Sequence, residues 1–356
     1  MSWIAPIAAE LRAPIVHPRP DGAGDTLALN LNESPLPPSP RAVEAAMATI
    51  AGVNRYPPTD GGSLTAALSR HTGLPADRIG LACGSDMLLH LLCMVSLAPG
   101  RSAVLPFPSF TRYGLSTRIA GARAIPVEVG PDGANDPERL LAAIAPDTRI
   151  VFCCTPNGNT GGSLSRAALA HVARHVPEGV MLVVDEAYAE FDPEADTLAV
   201  LAERRGPWAV TRTFSKAYAL AGLRIGYLLA SDPRVTEVIR AVRPIFEMTS
   251  PALAAAEAAL ADTAHLALLL KTTAEGRTQL DAGLRGLGLA PLPSRANFIT
   301  TDLGRPAAAI LRGMEARGVL VRGVMDPGWA NFLRITVGLP AQNARALAAL
   351  RDTLNG

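Results

Sequence analysis

Residues 211–227 read TRTFSKAYALAGLRIGY. The stretch begins inside one apolar run, PWAVTRTF (207–214), and leaves through another, IGYLLA (225–230), and both read as strands. Between them stands Lys216, with the hydroxyls of Thr213 and Ser215 beside it and Arg224 eight residues on. A lysine at a strand end, partly desolvated and near a second cation, has a lowered pKa, and its amine can form an imine with an aldehyde. Thr213, Ser215 and Arg224 can hold a phosphate dianion, Arg224 through its planar fork. A lysine serving structure alone would not need this company.

The same alternation extends toward the N-terminus. SAVLPF (102–107), ARAIPV (122–127), TRIVFCC (148–154) and VMLVVDE (180–186) read as strands. Helical stretches lie between most of them: SDMLLHLLCMVSL (85–97) precedes the first strand and SRAALAHVARHV (165–176) precedes VMLVVDE. This predicts an α/β fold, a mostly parallel central sheet flanked by helices. Two further helices, over 41–52 and from about Ser63 to His71, lead into it. Residues 1–40 are rich in proline and polar residues and read as an extended arm packing with a smaller domain. Residues 41–245 form the large domain and residues 246–356 a smaller α+β domain. The latter is expected to contain one long Ala/Leu-rich helix (251–286), the strands NFITTDL, VLVRGV and FLRITVG, and a last helix.

In open α/β sheets, ligands bind at the carboxyl ends of strands, and three more polar signals fall near such ends. CGSD (83–86) places Gly84, Ser85 and Asp86 at a helix start, where free backbone N–H groups attract an anion. CTPNGNTGG (154–162) is a loop whose amides can touch a ring hydroxyl. VDEAY (184–188) ends an apolar strand on Asp185, a buried carboxylate that needs a cation or strong donors. That cation is a protonated ring nitrogen or a nearby arginine. Taken singly, these are an ordinary N-cap, a turn and an ion pair. Taken with Lys216 they describe one ligand with an aldehyde, a basic ring nitrogen, a ring hydroxyl and a phosphate. Pyridoxal 5′-phosphate carries all four.

Composition narrows the alternatives. The 356 residues are 49% hydrophobic and 18% charged, as in a soluble globular protein of two domains. The 33 basic and 32 acidic residues nearly cancel, leaving no basic field for nucleic acid or an anionic membrane. The N-terminus lacks the pattern of a signal peptide, and the apolar stretch Met87 to Ala98 is too short to span a bilayer. Cys83, Cys93, Cys153 and Cys154 form no CxxC pair and read as reduced core residues of a cytoplasmic protein. His171 and His175 have a metal-compatible spacing, but Val172 replaces the glutamate of HExxH, and no metal is expected. No GxGxxG follows the first strand, against a dinucleotide enzyme. The arm is too short for a helix-turn-helix, against a regulator.

These segments resemble the class I/II aminotransferases of the aspartate-aminotransferase fold (fold type I) through nearly the whole chain. SKAY…GLRIG is the most specific motif. Within them the likeness is to the histidinol-phosphate aminotransferases, through LNLNESP (29–35), RYP (55–57), RTFSKAYALAGLRIGY (212–227) and FLRITVG (332–338). The resemblance implies pyridoxal 5′-phosphate held by Lys216 as an imine, with Lys216 then shuttling the substrate proton. It implies that Asp185 pairs with the ring nitrogen. Tyr188 and an asparagine of 157–159, Asn157 first or else Asn159, contact the ring hydroxyl. Gly84, Ser85, Asp86, Thr213, Ser215 and Arg224 hold the phosphate, and Phe110 stacks on the ring. Tyr56 reaches the phosphate of a neighbouring subunit's cofactor, which implies an obligate homodimer with active sites at the interface. Arg334 binds the donor's carboxylate and Arg322 the distal anion, and Asn32 and Tyr56 complete the substrate set. The implied reaction is ping-pong transamination between L-glutamate/2-oxoglutarate and histidinol phosphate/imidazole-acetol phosphate. An aromatic or other amino-acid transaminase, or a threonine-phosphate-type decarboxylase, are the alternatives on this scaffold.

Three positions depart from the pattern. Gly158 stands where relatives place the contacting asparagine, and Asn159 where they have proline. His17, in IVHPRP, stands where relatives have a Pro-Tyr pair. Glu247 replaces a common asparagine, and a carboxylate near a substrate phosphate is unfavourable unless paired.

Overall fold

Valine, isoleucine, leucine and cysteine runs form strands here because both of their faces are covered. In the computed structural model, which describes residues 26–355, Thr148–Cys154 and Met181–Asp185 are buried along nearly their whole length. After a two-residue strand β1 (Leu27–Ala28), the chain builds a seven-stranded sheet. Its strands are β2 (Ile79–Ala82), β3 (Ser102–Phe107), β4 (Arg123–Glu128), β5 (Thr148–Cys154), β6 (Met181–Asp185), β7 (Trp208–Thr213) and β8 (Gly226–Ala230). Their order is β2-β8-β7-β6-β5-β3-β4. Strands β7, β6, β5, β3 and β4 pair in parallel, whereas β8 runs antiparallel to both β7 and β2. The sheet is therefore mostly parallel, as its sequence predicts.

Each face of the sheet carries its own core. Helices Ser85–Ser96 and Pro233–Val242 cover one face with Leu88, Leu89, Leu92, Val235 and Ile239. Helices Ser63–Thr72, Arg166–His175 and Ser250–Ala261 cover the other with Leu64, Leu68, Leu169, Val172 and Ala255. A second sheet, of β9 (Ala290–Pro291), β10 (Phe298–Asp302), β12 (Arg322–Gly323) and β13 (Phe332–Thr336), is antiparallel in the order β12-β13-β10-β9. It shares a third core with helices Ala307–Ala316 and Pro340–Asn355.

The elements differ from expectation in three places. Strand β2 was not expected; it is only four residues long, contains Gly80, and takes its hydrogen bonds from the reversed strand β8. VLVRGV does not form one strand. β11 (Val319–Leu320) pairs with β1 in parallel, and β12 turns to pair with β13. The helix expected over 251–286 breaks at Asp262 into Ser250–Ala261 and Thr263–Gly286, bent by 80°. The Asp262 carboxylate causes the break by capping the second helix, accepting the His265 N–H at 3.1 Å. Among the described residues no single helix is long and apolar enough to cross a membrane.

Candidate active site

Strands β5, β6 and β7 end side by side, and what their last residues carry faces one cavity of about 380 Å³. Asp185 closes β6 and is almost fully buried. Its Oδ2 accepts the Tyr113 hydroxyl at 2.5 Å and its Oδ1 the Thr211 hydroxyl at 3.1 Å. Burial pushes its pKa up to about 6, while the two donors pull it back. Both donors are neutral, so the carboxylate lacks the cation its depth calls for. The arginine nearest in sequence does not supply one. The pleat of β7 puts Thr211 and Thr213 on one face and Arg212 on the other, where Arg212 pairs with the buried Glu186 at 2.7 Å.

Lys216 follows β7 and lies in the same cavity. Its Nζ donates to the carbonyls of Leu31 at 3.1 Å and Asn32 at 3.0 Å. Burial, with the charges of Arg334 and Arg224 behind it, lowers its pKa to about 7, against the opposing pull of Glu33. Near neutral pH much of this amine is therefore unprotonated and nucleophilic. Tyr188 accepts the Asn32 Nδ2 at 2.8 Å, and burial raises its phenol to about 12, so it stays a donor. Asn32 adopts a left-handed φ of 54° and is held by Thr336, whose Oγ1 accepts the Asn32 N–H at 3.0 Å.

At one end the cavity is shaped for an anion. Helix Ser85–Ser96 starts at Gly84 with no side-chain cap, so its first N–H groups remain available. Gly84 has a φ of 86°, and a Cβ there would stand 2.7 Å from Arg224 Nη2; one on Gly226 would stand 2.4 Å from the Ser85 nitrogen. Both glycines keep the cradle open. Ser85, Asp86, Thr213, Ser215 and Arg224 line it, with Thr213 Oγ1 2.9 Å from Ser215 Oγ. The Asp86 carboxylate does not face an anion unshielded, because Arg112 clasps it through both Nε and Nη2.

At the other end stand two arginines. Arg322 on β12 and Arg334 on β13 are register partners and both line the cavity. Like charges directly opposite each other on a sheet are unfavourable unless something negative lies between them. Arg334 Nη1 donates to the Gly158 carbonyl at 2.8 Å and Asn159 Oδ1 at 3.1 Å, and Nη2 to the Asn30 carbonyl at 3.3 Å. Its Nε is buried without a partner, as is the Ser109 hydroxyl on the same cavity wall. Burial lowers the Arg334 pKa to about 10, which leaves it cationic at neutral pH. Orphaned donors at the wall, open glycine positions and an unpaired carboxylate together fit an elongated ligand with a phosphate and a basic ring nitrogen.

Not every expected residue reaches this cavity. Asn157 is fully buried and does not line it. Its Oδ1 accepts the Asn159 and Thr160 N–H groups and its Nδ2 donates to the Pro108 carbonyl, so the turn takes up its amide. Asn159 does line the cavity, but its amide is engaged with Arg334, the Ser109 carbonyl and Asp326. Phe110 lies on the wall, edge-on to Tyr113 at 5.9 Å. Tyr56 lies outside it, 79% exposed and stacked on Phe246 at 4.2 Å. Glu247 does not line the cavity; its carboxylate faces Arg243 Nε at 3.5 Å, an ion pair without a hydrogen bond. His17 lies outside the described residues. Sequence reasoning passed over Tyr113, Thr211, Arg112 and Asp326. Thr211 was signalled by its alternation with Thr213, and Tyr113 by its place one helical turn after Phe110.

Comparison with known proteins agrees with this geometry. The family model described as aminotransferase class I and II matches residues 24–350. The chain is similar to histidinol-phosphate aminotransferase 2 of Pseudomonas fluorescens, 42% identical over 326 residues, covering 91% of this chain and 87% of that one. It is 39% identical over 333 residues to histidinol-phosphate aminotransferase of Symbiobacterium thermophilum, covering 94% and 92%. Among solved structures it is similar to histidinol-phosphate aminotransferase from Sinorhizobium meliloti in complex with pyridoxal 5′-phosphate. There the TM-score is 0.92 at 30% identity, with 100% and 98% coverage. The fold is also that of Thermus thermophilus aspartate aminotransferase, at a TM-score of 0.82 with 92% of each chain covered. A family match across nearly its whole length places this chain in the class I and II aminotransferases.

Proposed function

We propose that the chain is a pyridoxal-phosphate aminotransferase that moves an amino group between the pairs L-glutamate/2-oxoglutarate and histidinol phosphate/imidazole-acetol phosphate. The observation that carries this reading is a neutralisable lysine set between two cationic ends, the Arg224 cradle and the Arg322–Arg334 pair. Bound pyridoxal phosphate supplies an electron sink for the substrate's Cα–H bond. Gly84, Ser85, Thr213, Ser215 and Arg224 would hold its phosphate, with Asp86 contributing backbone N–H alone. Asp185 would keep a proton on the ring nitrogen, Tyr188 would donate to the ring hydroxyl, and Phe110, on the cavity wall, would pack against the ring. Lys216 would hold the cofactor through its aldehyde. As a free amine it would be the base that moves the proton of the substrate α-carbon. Arg334 holds the carboxylate of glutamate, Arg322 the distal carboxylate or phosphate, and Asn32 keeps the Tyr188 hydroxyl in place.

The same reading includes a homodimer. Met47, Ile50, Val53 and Tyr56 along one segment, and Val242, Ile245 and Phe246 along another, are exposed, and the Tyr56–Phe246 stack joins them. An apolar surface of this kind is what a second copy covers, and it carries Tyr56 toward the neighbour's cavity. Sedimentation is expected to give about twice the 37.1 kDa chain mass; a monomer at micromolar concentration would rule the shared site out. The four free cysteines, three of them buried, suit a reducing cytoplasm.

The test is an absorption spectrum of the cofactor-loaded protein, repeated after adding L-glutamate and, separately, L-histidinol phosphate. Both are expected to bleach the visible band. A band bleached by glutamate and unmoved by histidinol phosphate would keep the aminotransferase and reject the substrate.

A further inference from the structure

The two-arginine end of the cavity contains a carboxylate that the proposed reaction does not use. Asp326 lies on the cavity wall with Arg322 and Arg334, in the loop between β12 and β13. Asn159 fixes it: Nδ2 donates to Asp326 Oδ2 at 3.1 Å, while Oδ1 of the same amide accepts Arg334 Nη1 at 3.1 Å. One asparagine thus sets an anion and a cation on two sides of the space where a substrate's far end must lie. Arg322 on the same wall attracts the Asp326 charge, and the side-chain hydrogen bond it accepts comes from the Asn159 amide, which leaves its Oδ1 toward the cavity without a side-chain donor among the described residues.

A carboxylate here weakens the binding of anything that brings only negative charge to this end. Glutamate brings only a carboxylate. The penalty is offset for a substrate that brings an N–H donor next to its anion, because a hydrogen bond to a charged acceptor is among the stronger kinds. An imidazole ring on an amino phosphate meets that requirement. Resting on the substrate reading above, we propose that Asp326 is a specificity-determining residue. It accepts a hydrogen bond from the ring N–H of the heteroaromatic amino phosphate, and it disfavours the dicarboxylate that shares the same cavity. Asn159 is its positioning residue.

Asp326→Asn keeps the shape and removes the charge, and Asp326→Glu keeps the charge. The half-reactions of the cofactor-loaded protein are measured with histidinol phosphate, with its phenyl analogue (phenylalaninol phosphate) and with L-glutamate. For Asp326→Asn, kcat/KM for histidinol phosphate is expected to fall about 10- to 100-fold, chiefly through KM. The phenyl analogue should not lose and glutamate should hold or improve. Asp326→Glu should recover part of the loss. Equal losses on all three substrates would overturn the proposal, since they would show Asp326 acting only through Asn159 and Arg334. So would an unchanged histidinol phosphate reaction in Asp326→Asn. Wild-type protein that turns over glutamate but not histidinol phosphate would instead sink the substrate reading, and this inference with it.

Discussion

Lys216→Ala is expected to lower turnover by about 10⁴-fold while leaving a folded protein. Among the described residues no other amine lines the cavity to serve the proposed roles of holding the cofactor's aldehyde and moving the substrate proton, and proton transfer alone contributes typically 10²- to 10⁴-fold. The fold should tolerate the change. A lysine buried against two backbone carbonyls, with its pKa lowered to about 7, is held against a desolvation penalty that alanine does not carry. The sequence makes the assignment unusually clean, since lysine occurs only twice. The other, Lys271, is exposed on helix Thr263–Gly286 beside Glu275. Borohydride reduction of the loaded wild type should leave the cofactor's mass on the Lys216 peptide, and on no peptide of the variant. An unchanged visible band in Lys216→Ala, or turnover within tenfold of wild type, would refute the role.

Arg334→Ala is expected to raise KM for glutamate about 10²-fold, the usual consequence of losing a bidentate carboxylate contact. The buried Nε without a partner is the donor that a carboxylate would satisfy. Arg334→Lys is the informative control, since it keeps the charge and loses the fork. Lysine should restore only part of the loss. A KM near wild type in the alanine variant would transfer the carboxylate to Arg322. The variant is also expected to be less stable, because the carbonyls of Gly158 and Asn30 lose their donor.

The sequence made legible the central sheet and the meeting of Lys216, Asp185 and Arg224 in one cavity, because buried parallel strands are continuous apolar runs and the polar residues that line the cavity stand near their ends. It concealed features that depend on partners far along the chain. Nothing local marks Ile79–Ala82 as a strand; its place is set by pairing with β8, some 145 residues later. Nothing within an Ala/Leu-rich run marks Asp262 as the residue that stops one helix and caps the next, until Ser39 and His265 are seen bonded to it. Asn157 looked like a ligand because it carries a free amide in sequence, whereas the turn it sits in consumes both ends of that amide. Asp326 follows a two-residue strand in an irregular loop, where no periodicity assigns a side chain to a face.

The pinning of Asn32 by Thr336 has a consequence for synthesis. The two residues are 304 positions apart, and Lys216 rests on the backbone that this contact fixes. A chain emerging from the ribosome completes the cradle, Asp185 and Lys216 nearly a hundred residues before it makes Arg322, Arg334 or Thr336. Domains tend to fold from the N-terminus as they are made, so the cofactor half can form while the lid on its lysine is still missing. A chain ended early would therefore lack Arg334 and the contact that fixes the backbone over Lys216, two of the features that lower the pKa of its amine.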